Sequence, residues 1–153
     1  IAKVAGCDVV KFQKRNPDIC VPEHQKTVMR DTPWGRMSYL DYKYKIEFDQ
    51  NEYDEINIYC KERNIHWSAS PWDLDSLHFL NQYHVPFIKI PSACITNNEL
   101  LYEAAISGLP VIISTGMSTW EMIDDAVKID GSSTTKETTP VTVQALLSTT
   151  VQL

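Results

Sequence analysis

The 153-residue chain lacks most of the patterns that would assign it at a glance. No apolar stretch reaches about 18 residues, so nothing in it reads as a membrane-spanning helix. Basic runs stop at "KFQKR", residues 11–15, and the formal net charge is -6, which argues against a nucleic-acid or anionic-membrane partner. The four cysteines, Cys7, Cys20, Cys60 and Cys94, have neither the spacing of a zinc knuckle nor the density of a disulfide scaffold. They are expected to be reduced thiols of a cytosolic protein. The four histidines, His24, His66, His78 and His84, form no HxxxH or HxH pair, so the segment offers no metal site of its own, and His66 reads as structural. The start has no charged n-region and no long apolar core of a signal peptide. It opens without Met on "IAKVAGCD", as if on the last turn of a helix, and this points to a segment of a longer protein.

What is present is an ordinary globular composition, 43% hydrophobic, in a length sufficient for one core. Four apolar runs read as strands: "CDVVKFQK" (7–14), "IHWSAS" (65–70), "PFIKIPS" (86–92) and "PVIISTG" (110–116). A helical pattern follows each of them, which is the signature of βαβ units and a parallel sheet. Helix starts are marked by "DQNE" from Asp49, "TNNE" from Thr96 and "STWE" from Ser118, all with capping-box spacing. Expected helix faces are Tyr53, Ile56 and Tyr59–Cys60 over about 50–63, Leu74, Leu77 and Leu80 over about 74–83, and Leu100–Leu101 with Ala104–Ala105 over 97–107. The last stops at Gly108, a left-handed C-terminal position. Asp73 reads as an N-cap, and Asp75, Asp124 and Asp125 read as solvated surface.

Two stretches break the rhythm. Residues 15–48 form a long connection that is either functional or a helical insertion over a rim, or both, with a helix in "MSYLDYKYKIEF". Residues 130–153 form a divergent Ser/Thr-rich tail, in which "VTVQALLSTT" is either a further strand or a frayed or corrupted end. The expected organisation is a barrel segment over 1–129 and this tail over 130–153.

The strands raise one question: Lys11 and Lys89 sit at the centres of apolar runs, although a buried ammonium costs several kcal/mol unless compensated. Side chains alternate across a strand. Val10 and Phe12 oppose Lys11 and Gln13, and Trp67 and Ala69 oppose His66, Ser68 and Ser70. Ile88 and Ile90 oppose Lys89, and Val111 and Ile113 oppose Ile112 and Ser114. One face is wholly apolar, and the other carries its polar groups toward the C-terminal ends. A doubly wound sheet needs two apolar faces. A closed barrel has an inner face whose top layer meets the active site. The fold class is therefore α/β, part of a TIM (β/α)8 barrel, roughly its strands 2 to 5 or 6. Two ammoniums converging in its mouth need an anion, and Ser70, Ser92 and Ser114 at neighbouring strand ends add neutral donors. "STGMS" (114–118) adds a glycine turn and a helix N-terminus.

"VVKFQK", "SASPWDLDS", "KIPSACITNNELL" and "VIISTGMST", in this order and spacing over residues 1 to about 129, resemble the sialic acid synthase family, the NeuB-like N-acetylneuraminate synthases. The resemblance implies a TIM barrel that condenses phosphoenolpyruvate with an N-acetylated hexosamine such as N-acetylmannosamine. In such enzymes carbon 3 of phosphoenolpyruvate attacks the sugar aldehyde, a divalent metal (Mn or Mg) polarises it, water adds at carbon 2 and phosphate leaves. It implies that Lys11 and Lys89, with Ser70, Ser92 and Ser114, bind phosphoenolpyruvate, and that Gln13 faces the sugar. It also implies metal ligands outside this segment, a cytoplasmic location, no membrane or nucleic-acid partner and a homodimer of the full-length protein. The sequence departs from the family where "PSACITNN" replaces a Gly-Ser-Gly-acidic stretch, and the Asn and Tyr of a sixth strand are not found in "STTVQL". As such a synthase, the segment is expected to be inactive alone; the alternatives are a Schiff-base lysine aldolase of TIM-barrel type and a non-catalytic barrel segment or binding module.

Overall fold

The protein is described here from a computed structural model, which covers residues 1–132 and 142–143, with side chains to residue 129. In chain order the elements are β1 (Val9–Lys14), α1 (Pro17–Cys20), α2 (Glu23–Lys26), β2 (Met29–Thr32), β3 (Gly35–Ser38), α3 (Tyr39–Ile46), α4 (Gln50–Glu62) and β4 (His66–Pro71). They continue with α5 (Leu74–Leu80), β5 (Ile88–Ile90), a 3-10 turn (Ser92–Cys94), α6 (Asn98–Ile106), β6 (Val111–Ile113), α7 (Trp120–Ser132) and β7 (Thr142–Val143). β1 pairs in parallel with β4, with Lys11 opposite Ser68 and Gln13 opposite Ser70. β5 pairs in parallel with β6, which pairs in parallel with β7. β5 lies beside β4, where Ser68 Oγ donates to the Phe87 carbonyl at 2.7 Å. The lateral order is thus β1, β4, β5, β6, β7, with helices between successive strands, as the alternation of patterns predicts. The strand expected within 141–150 is described at Thr142–Val143, and the rest of the tail lies outside the described residues.

The core sits between the outer face of this sheet and the helices. Ile88, Ile90, Ala69 and Ile113 from the strands meet Tyr53, Leu77, Leu80, Leu100, Leu101 and Ala104 from the helices, all almost fully buried. Each large aliphatic group removed from water there contributes about 2 kcal/mol. Near β1 the core is aromatic: Phe12 lies 6.3 Å from Trp67, Tyr53 lies 5.2 Å from Phe79, and Trp67 lies 5.2 Å from Tyr83. The Tyr53 hydroxyl donates to the Gln13 carbonyl at 2.6 Å, so α4 is fastened to the C-terminal end of β1.

Local chemistry sets the helix starts, with two corrections. Asp49 makes the expected reciprocal capping box with Glu52. α6, however, is capped by Asn97, whose side chain accepts from Leu100 N, and not by Thr96. In α7 Thr119 Oγ1, and not Ser118, accepts from Met122 N at 3.3 Å. In both places two adjacent polar residues compete, and the winner is set by where the preceding loop arrives. Tyr59 is also corrected: it is 57% exposed, whereas Tyr53 and Cys60 of the same helix are buried. Gly108 is left-handed, with φ +75°, as its helix-ending position requires. All four cysteines are free thiols. No helix among the described residues is long and apolar enough to cross a membrane.

The insertion 15–48 holds α3 where a helix is expected, but also an antiparallel hairpin, β2–β3, that the sequence reading does not foresee. Its turn depends on Gly35 at φ +99° and on Thr32 Oγ1, which donates to the Gly35 carbonyl at 2.7 Å.

Leu100→Ala should lower the free energy of unfolding by about 3 kcal/mol, whereas Tyr102→Ala on the exposed side of the same helix should change it by less than about 0.5 kcal/mol. Equilibrium urea unfolding of the two variants measures both.

Candidate active site

The inner face of the sheet is built as the alternation requires. Phe12 points into the aromatic layer, so Lys11 and Gln13 project to the opposite side. Lys11 Nζ donates to Ser70 Oγ at 3.4 Å and to the Phe12 carbonyl at 3.2 Å. Lys89 Nζ donates to Ser114 Oγ at 2.5 Å. Each lysine on one strand is therefore joined to the serine at the end of the next strand, β1 to β4 and β5 to the residue after β6. Ser70 is buried, while Lys89, Ser92 and Ser114 are partly buried and Lys11 is exposed on its open side.

The electrostatics match this convergence. Burial lowers the pKa of Lys11 below the usual lysine value, and the neighbouring charge of Lys89 lowers it further. Burial also lowers Lys89. A serine oxygen that accepts from an ammonium must turn its own proton elsewhere. The two Lys–Ser pairs thus offer ammonium and hydroxyl donors together, with no carboxylate among the described residues to neutralise them. The arrangement can hold a small anion.

Ser92 completes the set from the 3-10 turn. A Cβ placed on Gly116 would lie 3.4 Å from Ser92 Oγ, so the turn after β6 is packed against this third hydroxyl. The left-handed residue of "STGMS" is Met117 at φ +61°, not the glycine. Gln13 lies on the same face, one alternation beyond Lys11, exposed and with its side-chain amide unpartnered among the described residues. The expected residues Lys11, Ser70, Lys89 and Ser114 are thus linked in pairs, Ser92 flanks them, and Gln13 stands clear toward the strand ends.

Sequence reasoning missed what locks the site's edge. Asp73 caps α5 through Ser76 N at 2.8 Å, as expected, but it is buried and also accepts from Asn16 N at 2.7 Å and Cys20 Sγ at 3.1 Å. It ties the end of β1 to the start of α5. Burial and this carboxylate push the Cys20 thiol up to about 12, so it is unreactive. Asp75, Asp124 and Asp125 are exposed, although Asp75 accepts from Asn16 Nδ2 at 2.9 Å. No group of three His, Cys, Asp or Glu side chains among the described residues could hold a metal ion.

Parallel strands, intervening helices and a polar inner face at the strands' C-terminal ends define an arc of a TIM barrel with a cationic mouth. The model of the NeuB family matches residues 1–148, and the chain belongs to that family. It is 39% identical over 129 residues to the N-acetylneuraminate-9-phosphate synthase of Drosophila melanogaster, covering 83% of this chain and 34% of that protein. It is 32% identical over 136 residues to the N,N'-diacetyllegionaminic acid synthase of Campylobacter jejuni, covering 84% and 39%. Among solved structures, the N-acetylneuraminic acid synthetase of Leptospira borgpetersenii serovar Hardjo-bovis, in complex with citrate, superposes with a TM-score of 0.74 at 29% identity, over 86% of this chain and 42% of that one. The chain thus spans about a third of the length of the curated relatives it matches.

If Lys89 depresses Lys11 through its charge, Lys89→Met should raise the pKa of Lys11 in the unliganded protein. Two-dimensional NMR of the lysine side chains across the alkaline range measures the shift, and an unchanged value would separate the two amines.

Proposed function

We propose that this chain is the phosphoenolpyruvate-binding arc of a nonulosonate synthase, which condenses phosphoenolpyruvate with an N-acetylated hexosamine and releases phosphate. The observation that carries the reading is the pair of inner-face lysines, each joined to a strand-end serine and coupled through charge. A guest with a phosphate at one end and a carboxylate at the other suits two cationic poles. In this reading Lys11 with Ser70 and Lys89 with Ser114 and Ser92 grip the two anionic groups and orient the enol ester, leaving its carbon 3 toward the mouth.

Gln13 lies two residues beyond Lys11, about 7 Å along the strand, where the acceptor would sit. Carbon 3 then bonds to the aldehyde carbon of the open-chain sugar. Carbon 2 takes up water, and its bond to the phosphate oxygen breaks. The lysines hold the phosphate through this sequence and so stabilise the charge that it carries away. The relatives' names, N-acetylneuraminate-9-phosphate synthase and N,N'-diacetyllegionaminic acid synthase, share an N-acetylated product and differ in its substituents. The acceptor here is accordingly given as a class, such as N-acetylmannosamine or a relative.

The divalent ion, Mn or Mg, that the family resemblance implies would polarise the acceptor aldehyde. The described residues hold no group of three ligands that fits it, and in this reading its ligands come from strands outside them. A homodimer of the full-length protein and a cytoplasmic location are part of the same proposal.

One feature favours a second reading: a lysine with its pKa lowered by burial and by a neighbouring cation is a candidate Schiff-base nucleophile. Lys89→Met separates the two. In the full-length protein the synthase reading expects this variant to lose at least about a hundredfold in kcat/KM for phosphoenolpyruvate, with its melting temperature little changed. Borohydride added with substrates should leave the wild-type lysines unmodified. Near-normal kinetics with early melting would make Lys89 structural, and a reduced covalent adduct on either lysine would favour the aldolase.

A further inference from the structure

Strands β1 and β5 carry three lysines, and their ammoniums are held unequally. Lys14, on the outer side, donates to the Phe48 carbonyl at 2.5 Å and stands 4.6 Å from the Phe79 ring centroid and 5.5 Å from that of Tyr53. Lys89 is partly buried and donates to Ser114 Oγ at 2.5 Å. Lys11 has only two long bonds, 3.2 Å to the Phe12 carbonyl and 3.4 Å to Ser70 Oγ, and its open side is exposed. Its nitrogen is the loosest of the three and the one that a small solute can reach.

The surroundings of Lys11 favour an anion over a cation. No carboxylate among the described residues pairs with Lys11 or Lys89. Lys89 lies near enough for its charge to act on Lys11. The Ser70 and Ser114 oxygens each accept from a lysine and donate to nothing among the described residues, so both hydroxyl protons are free for a ligand. Burial and the Lys89 charge lower the pKa of Lys11, so a larger share of this amine is neutral than of a solvated lysine at the same pH. A neutral amine open to solvent is a nucleophile. An anion in its place would compensate Lys89 where the ammonium repels it.

Carbon dioxide turns such an amine into an anion without an oxidant or a reductant. The Lys11 lone pair attacks the carbon, a C–N bond forms as one C=O π bond opens, and the nitrogen gives one proton to water. The product is a carbamate, R–NH–COO−, with a planar carboxylate head. Loss of carbon dioxide and return of the proton restore the amine.

We propose that Lys11 is a carbamylation site, at which carbon dioxide forms a carbamate held by the Lys89 ammonium and the Ser70 hydroxyl. The inference rests on the synthase reading above and adds a regulation of the same site. A carbamylated Lys11 cannot grip a substrate anion, and a Lys11 held as an ammonium by phosphoenolpyruvate cannot attack carbon dioxide. The two therefore exclude each other, and carbon dioxide acts on the unliganded protein.

For the test, the full-length protein is equilibrated with carbon-13 bicarbonate as the source of carbon dioxide. Carbamates are fixed as esters with a trialkyloxonium salt and mapped by mass spectrometry. A labelled adduct should form on Lys11 and not on Lys14. Phosphoenolpyruvate at about ten times its Kd should cut it about tenfold. Lys89→Met should lower it about tenfold through loss of a charge-assisted contact, and Lys89→Arg should restore most of it. No adduct on Lys11, or one indifferent to phosphoenolpyruvate, overturns the inference. Phosphate release from phosphoenolpyruvate and N-acetylmannosamine, measured in the same preparation freed of bicarbonate, reads the synthase chemistry separately. Release without a Lys11 adduct overturns the inference alone, and a Lys11 adduct that phosphoenolpyruvate removes, without release, overturns only the synthase reading.

Discussion

Two positive charges on the inner wall of a parallel sheet repel each other, and the rest of the structure is arranged around that repulsion. On the outer face each strand is sealed by helices, and Lys14, at the end of β1, escapes this only by reaching the Phe48 carbonyl and the rings of Tyr53 and Phe79. On the inner face a lysine reaches the C-terminal rim. There Lys11 and Lys89 each lean on a serine of the neighbouring strand. Serine is suited to this place because its hydroxyl can accept from the ammonium and still donate onward. A carboxylate would have neutralised the amine and closed the site to anions. The lowered pKa of both amines is the residual cost of this choice.

The outer layer supplies the rigidity that such a site needs. Phe12 and Lys11 are adjacent, and the aromatic packing of Phe12 against Trp67 fixes which way Lys11 points. Tyr53 clamps the Gln13 carbonyl from α4, and Asp73 binds the Asn16 backbone N–H near the start of the insertion. Together these contacts hold the ends of β1 and β4 in register, with Gln13 opposite Ser70. The insertion therefore begins from a fixed root, and its hairpin and α3 hang over the mouth as an attached piece. Rungs of the inner wall then read outward from Lys11 to Gln13, from the proposed phosphoenolpyruvate site toward the proposed acceptor.

Much of this was legible in the amino-acid sequence, for a definite reason. Alternation in a strand is a local property, so the faces of Val10, Lys11, Phe12 and Gln13 could be assigned without knowing the fold. Opposing Lys89 to Ile88 and Ile90 used the same rule, and the barrel followed from a single polar face. Long-range pairing is not local. The bond of Asp73 to Asn16 joins residues 57 apart, and no periodicity announces it. The β2–β3 hairpin was hidden because "MRDTPWGRMS" alternates poorly and stays mostly exposed. Caps were misplaced by one residue where two candidates stood side by side, Thr96 with Asn97 and Ser118 with Thr119.

The account stands or falls on one guest bridging both amines, and proton linkage reads this directly. In the free protein the two amines have lowered pKa values. A dianion between them favours the charged form and so raises both. Affinity should therefore be full below the free-state values and fall as pH rises through them. Isothermal titration calorimetry of phosphoenolpyruvate into the full-length protein, at about pH 9.5 and in buffers of different ionisation enthalpy, measures the protons exchanged on binding. Net proton uptake that disappears near neutral pH is the predicted result. Binding without uptake at alkaline pH would contradict the account.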